Sequence, residues 1–185
     1  MAATKADEVL RHIEETAKYR YLPIIGRDRG RILVDLIRRF KPRRILEVGA
    51  FIGYSTILMG KELEYGSEII TIEIDEEEAE RARENIRCAE IKPKVRVLTG
   101  DALKIIPGLK GGFDMVFLDA AKSQYLNYLR LVEDKLHKGS VVVADNAGSF
   151  SYSMRNYLDY VRNSGRYKSQ FISAKWDGME VSIKL

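Results

Sequence analysis

From Arg43 onward the sequence repeats one pattern five times: a short apolar run of strand-forming residues, a turn, and a stretch with helical periodicity. The spacing predicts strands over Ile45–Val48, Glu68–Ile74, Lys94–Thr99, Phe113–Leu118 and Ser140–Ala144. Helices are expected at Tyr54–Leu63, Glu76–Ala89, Ala102–Ile106, Ser123–Leu136 and Met154–Arg162. Successive strands separated by helices cannot pair as hairpins, so they build βαβ units. The expected fold is α/β and Rossmann-like: a doubly wound, mostly parallel sheet with helices on both faces. Two further helical patterns, Lys5–Tyr19 and Arg27–Phe40, precede the first strand. At the other end, two strand-like runs flank Trp176-Asp177-Gly178, and Asp-Gly favours a hairpin, so an antiparallel pair should close the sheet. A length of 185 residues suits one domain spanning residues 1–185, with residues 1–41 as N-terminal helices packed on the core.

Ligands of open α/β sheets sit beyond the carboxyl ends of the strands. Those ends read Glu47-Val48-Gly49, Glu73-Ile74-Asp75, Gly100-Asp101, Asp119 and Asp145-Asn146, each carrying a carboxylate. Asp75, before Glu76-Glu77-Glu78, has the position of a helix cap. The others together suggest a cleft for hydroxyl groups, cations or both. The segment VVVADNAGSF leaves two readings of Asp145-Asn146 open, because both residue types accept turn geometry and both can offer oxygen ligands.

The first strand and helix are joined by LEVGAFIGYSTILM, with glycines at 49 and 53 but without the GxGxxG spacing that admits a dinucleotide pyrophosphate. Glu73 lies about twenty residues past Gly53, where an acidic side chain takes ribose hydroxyls. A ribose without a pyrophosphate points to S-adenosylmethionine. In that arrangement Glu47 and Gly49 face the methionyl ammonium, the helix start at Tyr54-Ser55 offers N–H groups to the carboxylate, and Asp101-Ala102 borders the adenine.

VGAFIGYS, TIEID, FDMVFLDAAKSQY, ADNAG and WDGMEVSIK occur here in an order and spacing that resembles the cation-dependent O-methyltransferases of the catechol and caffeoyl-coenzyme A type. The upstream IIGRDRGRIL resembles the cofactor-flanking segment of the catechol enzymes, which implies that Ile25 touches the cofactor. The resemblance implies that Asp119, Asp145 and Asn146 ligate one divalent cation. Three hard oxygen donors suit Mg²⁺ or Mn²⁺ and leave coordination positions for acceptor oxygens. It also implies that Lys122 is the base, that Asp119 takes part in catalysis and borders the cofactor, and that the protein is a homodimer. The acceptor expected is a small catechol-like or other chelating molecule with hydroxyl groups. The alternative is the 5-hydroxyuridine of a tRNA, and a third reading is a cofactor-binding homologue without catalysis.

Two departures bear on the acceptor. ADNAGSFSYSMRNYL runs straight into a helix without the insertion of the plant caffeoyl-coenzyme A enzymes, and SQFISAK lacks the acidic residue that catechol enzymes direct at a substrate hydroxyl. Phe150, Tyr152 and Trp176 are candidates for the cleft entrance. Ten basic residues between Lys18 and Arg44, opposed there by Asp28 and Asp35, raise the prospect of an RNA partner. No apolar run approaches the roughly 20 residues that span a bilayer, and the N-terminal segment lacks a signal-peptide core, so no membrane partner and a cytoplasmic location are expected. Cys88, in the helical pattern ERARENIRCAE, is expected to be a packed or half-packed thiol rather than a nucleophile.

Overall fold

The computed structural model describes residues 3–185. Five strands, β1 (Arg44–Val48), β2 (Glu68–Glu73), β3 (Lys94–Thr99), β4 (Phe113–Leu118) and β5 (Leu136–Asp145), are mutually parallel. Two more, β6 (Tyr167–Ser173) and β7 (Gly178–Lys184), form the expected hairpin, and β7 pairs antiparallel with β5. The strand order is β3-β2-β1-β4-β5-β7-β6. The chain therefore winds outward from β1 to β3, then crosses back to place β4 on the other side of β1. That reversal opens a crevice between the carboxyl ends of β1 and β4, the usual ligand position of such sheets.

Helices α1 (Lys5–Thr16), α2 (Gly26–Phe40), α3 (Tyr54–Gly60) and α4 (Glu76–Ala89) contribute to one apolar cluster; α5 (Ala102–Ile105), α6 (Tyr125–Val132) and α7 (Arg155–Asn163) contribute to the other. Strand alternation feeds both. Ile45, Ile69, Met115, Phe117, Val141 and Val143 point to the first cluster, while Leu46, Ile70, Val116, Leu118, Val142 and Ala144 point to the second. Burial on both faces is why these strands read as continuous apolar runs.

Several element limits differ from expectation for local reasons. The helix foreseen over Ser123–Leu136 is a short 3₁₀ turn, then α6, then a second 3₁₀ turn over Glu133–Lys135, because Leu136 already pairs with Phe113 as the first residue of β5. α1 ends at Thr16 rather than Tyr19, and α3 ends at Gly60 rather than Leu63. Cys88 is exposed, not packed: it lies on the outer side of α4, with its Sγ near Glu84 Oε1 at 3.5 Å. No helix among the described residues is long and apolar enough to cross a membrane.

Candidate active site

A cleft of about 650 Å³ opens at the β1/β4 crevice. Ile25, Gly49, Tyr54, Ser55, Glu73, Asp101, Ala102, Asp119, Lys122, Asp145 and Asn146 all line it. Glu47 does not. Its side chain is fully buried and accepts hydrogen bonds from the hydroxyls of Ser55 and Thr56. Burial pushes this carboxyl up to about 7, against the lowering effect of those two hydroxyls. Glu47 thus ties the start of α3 to β1 beneath the cleft instead of facing a ligand ammonium. The reason is geometric: in a doubly buried strand the side chain two residues before the turn points into a core layer.

The turn after β1 depends on two backbone features. Gly49 has φ +98°, and a Cβ there would lie 2.1 Å from the carbonyl oxygen of Asp119, so only glycine lets the ends of β1 and β4 come this close. Phe51 also adopts a left-handed conformation, φ +47°. Its N–H is held at 2.7 Å by Glu73 Oε2, while Glu73 Oε1 accepts from the N–H groups of Ile74 and Asp75 at 2.8 and 3.1 Å. Glu73 therefore organises the turn across the mouth of the cleft while presenting its carboxylate to it. Asp101 has a double part as well, capping α5 through the Leu103 N–H at 2.9 Å from the cleft wall. Asp75 caps α4 as expected.

On the opposite side the acidic strand ends converge. Asp119 Oδ1 accepts from Lys122 Nζ at 2.7 Å, and the same amine lies 3.0 Å from the Tyr125 hydroxyl. Burial raises the Tyr125 hydroxyl well above the usual phenol range, with the charges of Asp119 and Asp145 adding to the effect. Asp145 is 1% exposed in its side chain, and its Oδ2 accepts from Arg29 at 2.6 Å. Its Oδ1 is buried and has no hydrogen-bond partner among the described residues. Burial, then the neighbouring charge of Asp119, pushes the Asp145 carboxyl up to about 7. Asn146 has φ +61°, a left-handed conformation that asparagine tolerates, so the turn and ligand readings of this pair are compatible. Its amide nitrogen donates to Asp177 Oδ2 at 2.8 Å, which leaves the amide oxygen as its other polar atom.

Sequence reasoning missed three residues here. Arg29 was counted among a basic stretch, Asp177 was read as a hairpin turn residue, and Tyr125 fell within the expected helix Ser123–Leu136 without a role of its own. Asp177 Oδ1 accepts from the N–H groups of Gly148, Ser149 and Gly178, fastening the loop after β5 to the hairpin. The helical spacing of Tyr125 three residues after Lys122 was the one available signal. Of the proposed entrance residues, Phe150 lines the cleft, half exposed, while Tyr152 and Trp176 project to solvent outside it. The basic stretch is partly consumed by ion pairs: Arg27 with Glu14, Arg29 with Asp145, Arg38 with Glu62 and Arg44 with Glu68.

Residues 2–155 match the family model described as O-methyltransferase. The chain belongs to this O-methyltransferase family. Catechol O-methyltransferase B of Danio rerio is 34% identical over 99% of this chain and 75% of its own length. Catechol O-methyltransferase of Mus musculus is 31% identical over 98% of this chain and 77% of its own. Among solved structures, the O-methyltransferase of Bacillus cereus in complex with SAH superposes with a TM-score of 0.83 at 25% identity, covering all of this chain and 92% of that one. The O-methyltransferase TomG of Streptomyces achromogenes in complex with SAM gives 0.83 at 28% identity, over 96% and 90%. The protein is an S-adenosylmethionine-dependent O-methyltransferase of the catechol and caffeoyl-coenzyme A type.

Proposed function

We propose that this methyltransferase uses a divalent cation, Mg²⁺ or Mn²⁺, to present a hydroxyl of a small chelating acceptor to the methyl donor. The observation that carries the reading is the buried Asp145 Oδ1, an acceptor atom without a hydrogen-bond partner among the described residues, in the same cleft as Asp119 and Asn146. A polar atom left this way costs about 1–3 kcal/mol unless a ligand satisfies it. Two carboxylates and an amide form a hard, all-oxygen donor set, which fits Mg²⁺ or Mn²⁺ and not a thiophilic metal. When bound, such an ion lowers the pKa of a coordinated hydroxyl and fixes its orientation.

The residues of the chain divide the remaining work. Asp119, Asp145 and Asn146 hold the cation, while Lys122, held between Asp119 and Tyr125, accepts the acceptor's proton. Glu73 takes the ribose hydroxyls of the methyl donor, Tyr54-Ser55 and the Gly49 turn take its amino-acid end, and Asp101-Ala102 with Ile25 flank its adenosine. Strand ends carry the two groups of residues on adjacent sides of one crevice, which limits the orientational entropy lost on reaching an in-line geometry. A small acceptor is preferred over a tRNA because four arginines of the basic stretch are already committed to intramolecular carboxylates. The catechol enzymes named among the relatives make a vicinal diol the first acceptor to test.

The test is transfer of a labelled methyl group to a panel of catechols, and to hypomodified tRNA, with Mg²⁺ or excess chelator. Transfer to a catechol should vanish in chelator and in Asp145→Asn, while calorimetric binding of S-adenosylmethionine persists in both. Undiminished transfer in chelator would refute the cation dependence, and transfer to tRNA alone would refute the small acceptor.

A further inference from the structure

Arg29 stands 116 positions from Asp145 in sequence, yet its guanidinium reaches Asp145 Oδ2 at 2.6 Å and lies 3.7 Å from Asp177 Oδ2. Its Nε is anchored to the carbonyl of Ile25 at 3.2 Å, so the group is fixed from the α2 side as well. Its side chain is 19% exposed. A guanidinium placed only to neutralise a buried carboxylate would be expected to grip both oxygens in a fork, the strongest arrangement for this pair. Here a single nitrogen takes a single oxygen, and Asp145 Oδ1 is spared. The cluster as a whole holds three carboxylates, Asp119, Asp145 and Asp177, against the two cationic side chains Lys122 and Arg29.

We propose that Arg29 is a built-in counter-ion of the cation site: it stabilises Asp145 in the metal-free protein and holds the site's affinity for a divalent cation below what its oxygen ligands alone would give. The proposal rests on the cation reading of the same cleft. A divalent ion approaching Asp145 Oδ1 meets a resident positive charge on the neighbouring oxygen, in surroundings of low dielectric where the repulsion is weakly screened. Bringing in an acceptor oxyanion offsets that repulsion, so the ion is held firmly when the acceptor is present and loosely otherwise. Arg29 is in this sense a positioning residue with an electrostatic effect, and needs no contact with the reacting atoms.

The experiment measures Mn²⁺ binding by electron paramagnetic resonance on the full chain, at neutral pH, without methyl donor or acceptor. Arg29→Gln keeps a hydrogen-bond donor and removes the charge; it should bind Mn²⁺ at least about tenfold more tightly than wild type. Arg29→Lys keeps the charge and should stay within about threefold of wild type. Arg29→Gln should also melt at a lower temperature than wild type in chelator, with the gap closing as Mn²⁺ is added. Unchanged or weaker Mn²⁺ binding by Arg29→Gln, or equal tightening by Arg29→Lys, would overturn the proposal. So would an Arg29→Gln protein that stays unfolded with Mn²⁺, whereas one unfolded in chelator and folded with Mn²⁺ supports it. Absence of Mn²⁺ binding sensitive to Asp145→Asn in wild type and Arg29→Gln alike would overturn the cation reading together with this one; wild-type binding that Arg29→Gln leaves unchanged overturns this one alone.

Discussion

Replacing Gly49 by alanine should damage stability and catalysis together, for one geometric reason. The added Cβ would lie 2.1 Å from the Asp119 carbonyl oxygen, and real Cβ contacts essentially never fall below 3.0 Å, so the ends of β1 and β4 must separate by about 0.9 Å. Forcing a packed backbone apart costs about 1–3 kcal/mol. Alanine at a φ of +98° adds roughly 1–2 kcal/mol of backbone strain, giving a loss of about 3 kcal/mol or more. Because the displaced atom belongs to Asp119 itself, the proposed ligand and Lys122 beside it move too. A shift near 1 Å at reacting groups lowers turnover by about 10²-fold. Gly165→Ala is the control: its φ is +72° but nothing among the described residues lies within 4 Å of the added Cβ, so only the backbone strain of roughly 1–2 kcal/mol applies and turnover should be unaffected. Urea titrations of the two variants give the stability difference, and kcat/KM for a working acceptor gives the catalytic one. Equal stability losses in both variants, or full activity in Gly49→Ala, would refute the argument that close approach of β1 and β4 requires this glycine.

The Glu47 carboxyl, moved from 4.5 to about 7, keeps its proton in the folded state over a pH range where the unfolded chain has released it. Its contribution to stability therefore falls as pH rises through that range, by on the order of 3 kcal/mol, and Glu47→Gln should be more stable than wild type near pH 8 but not near pH 5 in urea titrations. Asp177→Ala removes the acceptor for three backbone N–H groups and the Asn146 amide. It should cost about 2–4 kcal/mol by thermal or urea unfolding and depress methyl transfer more than Asp177→Asn does. Tyr125→Phe removes one of two partners of the Lys122 amine; kcat should fall about tenfold with KM for S-adenosylmethionine unchanged, read in steady-state kinetics.

The parts of the molecule legible without coordinates are those governed by local periodicity. β3, β4 and α4 occupy the spans expected from the alternation of apolar residues, and Asp75 caps α4 as its position before three glutamates implied. Leu136 was misplaced in a helix because an apolar residue at helical spacing is indistinguishable from a strand start until its partner, Phe113, is known. Glu47 was taken for a ligand contact because sequence spacing locates a residue near a strand end without saying which side of the sheet surface its side chain meets.

The sequence by itself determined the alternating architecture, the acidic character of the strand ends and the spacing of Glu73 behind the glycine turn, since each follows from residues that interact within one βαβ unit. Tertiary structure alone decided the strand order that opens the crevice between β1 and β4, the burial of Glu47, and the arrival of Arg29 and Asp177 beside Asp145-Asn146. Those contacts join α2, β5 and the terminal hairpin, elements with no shared periodicity, and they form because packing on one sheet brings distant charges to a common edge.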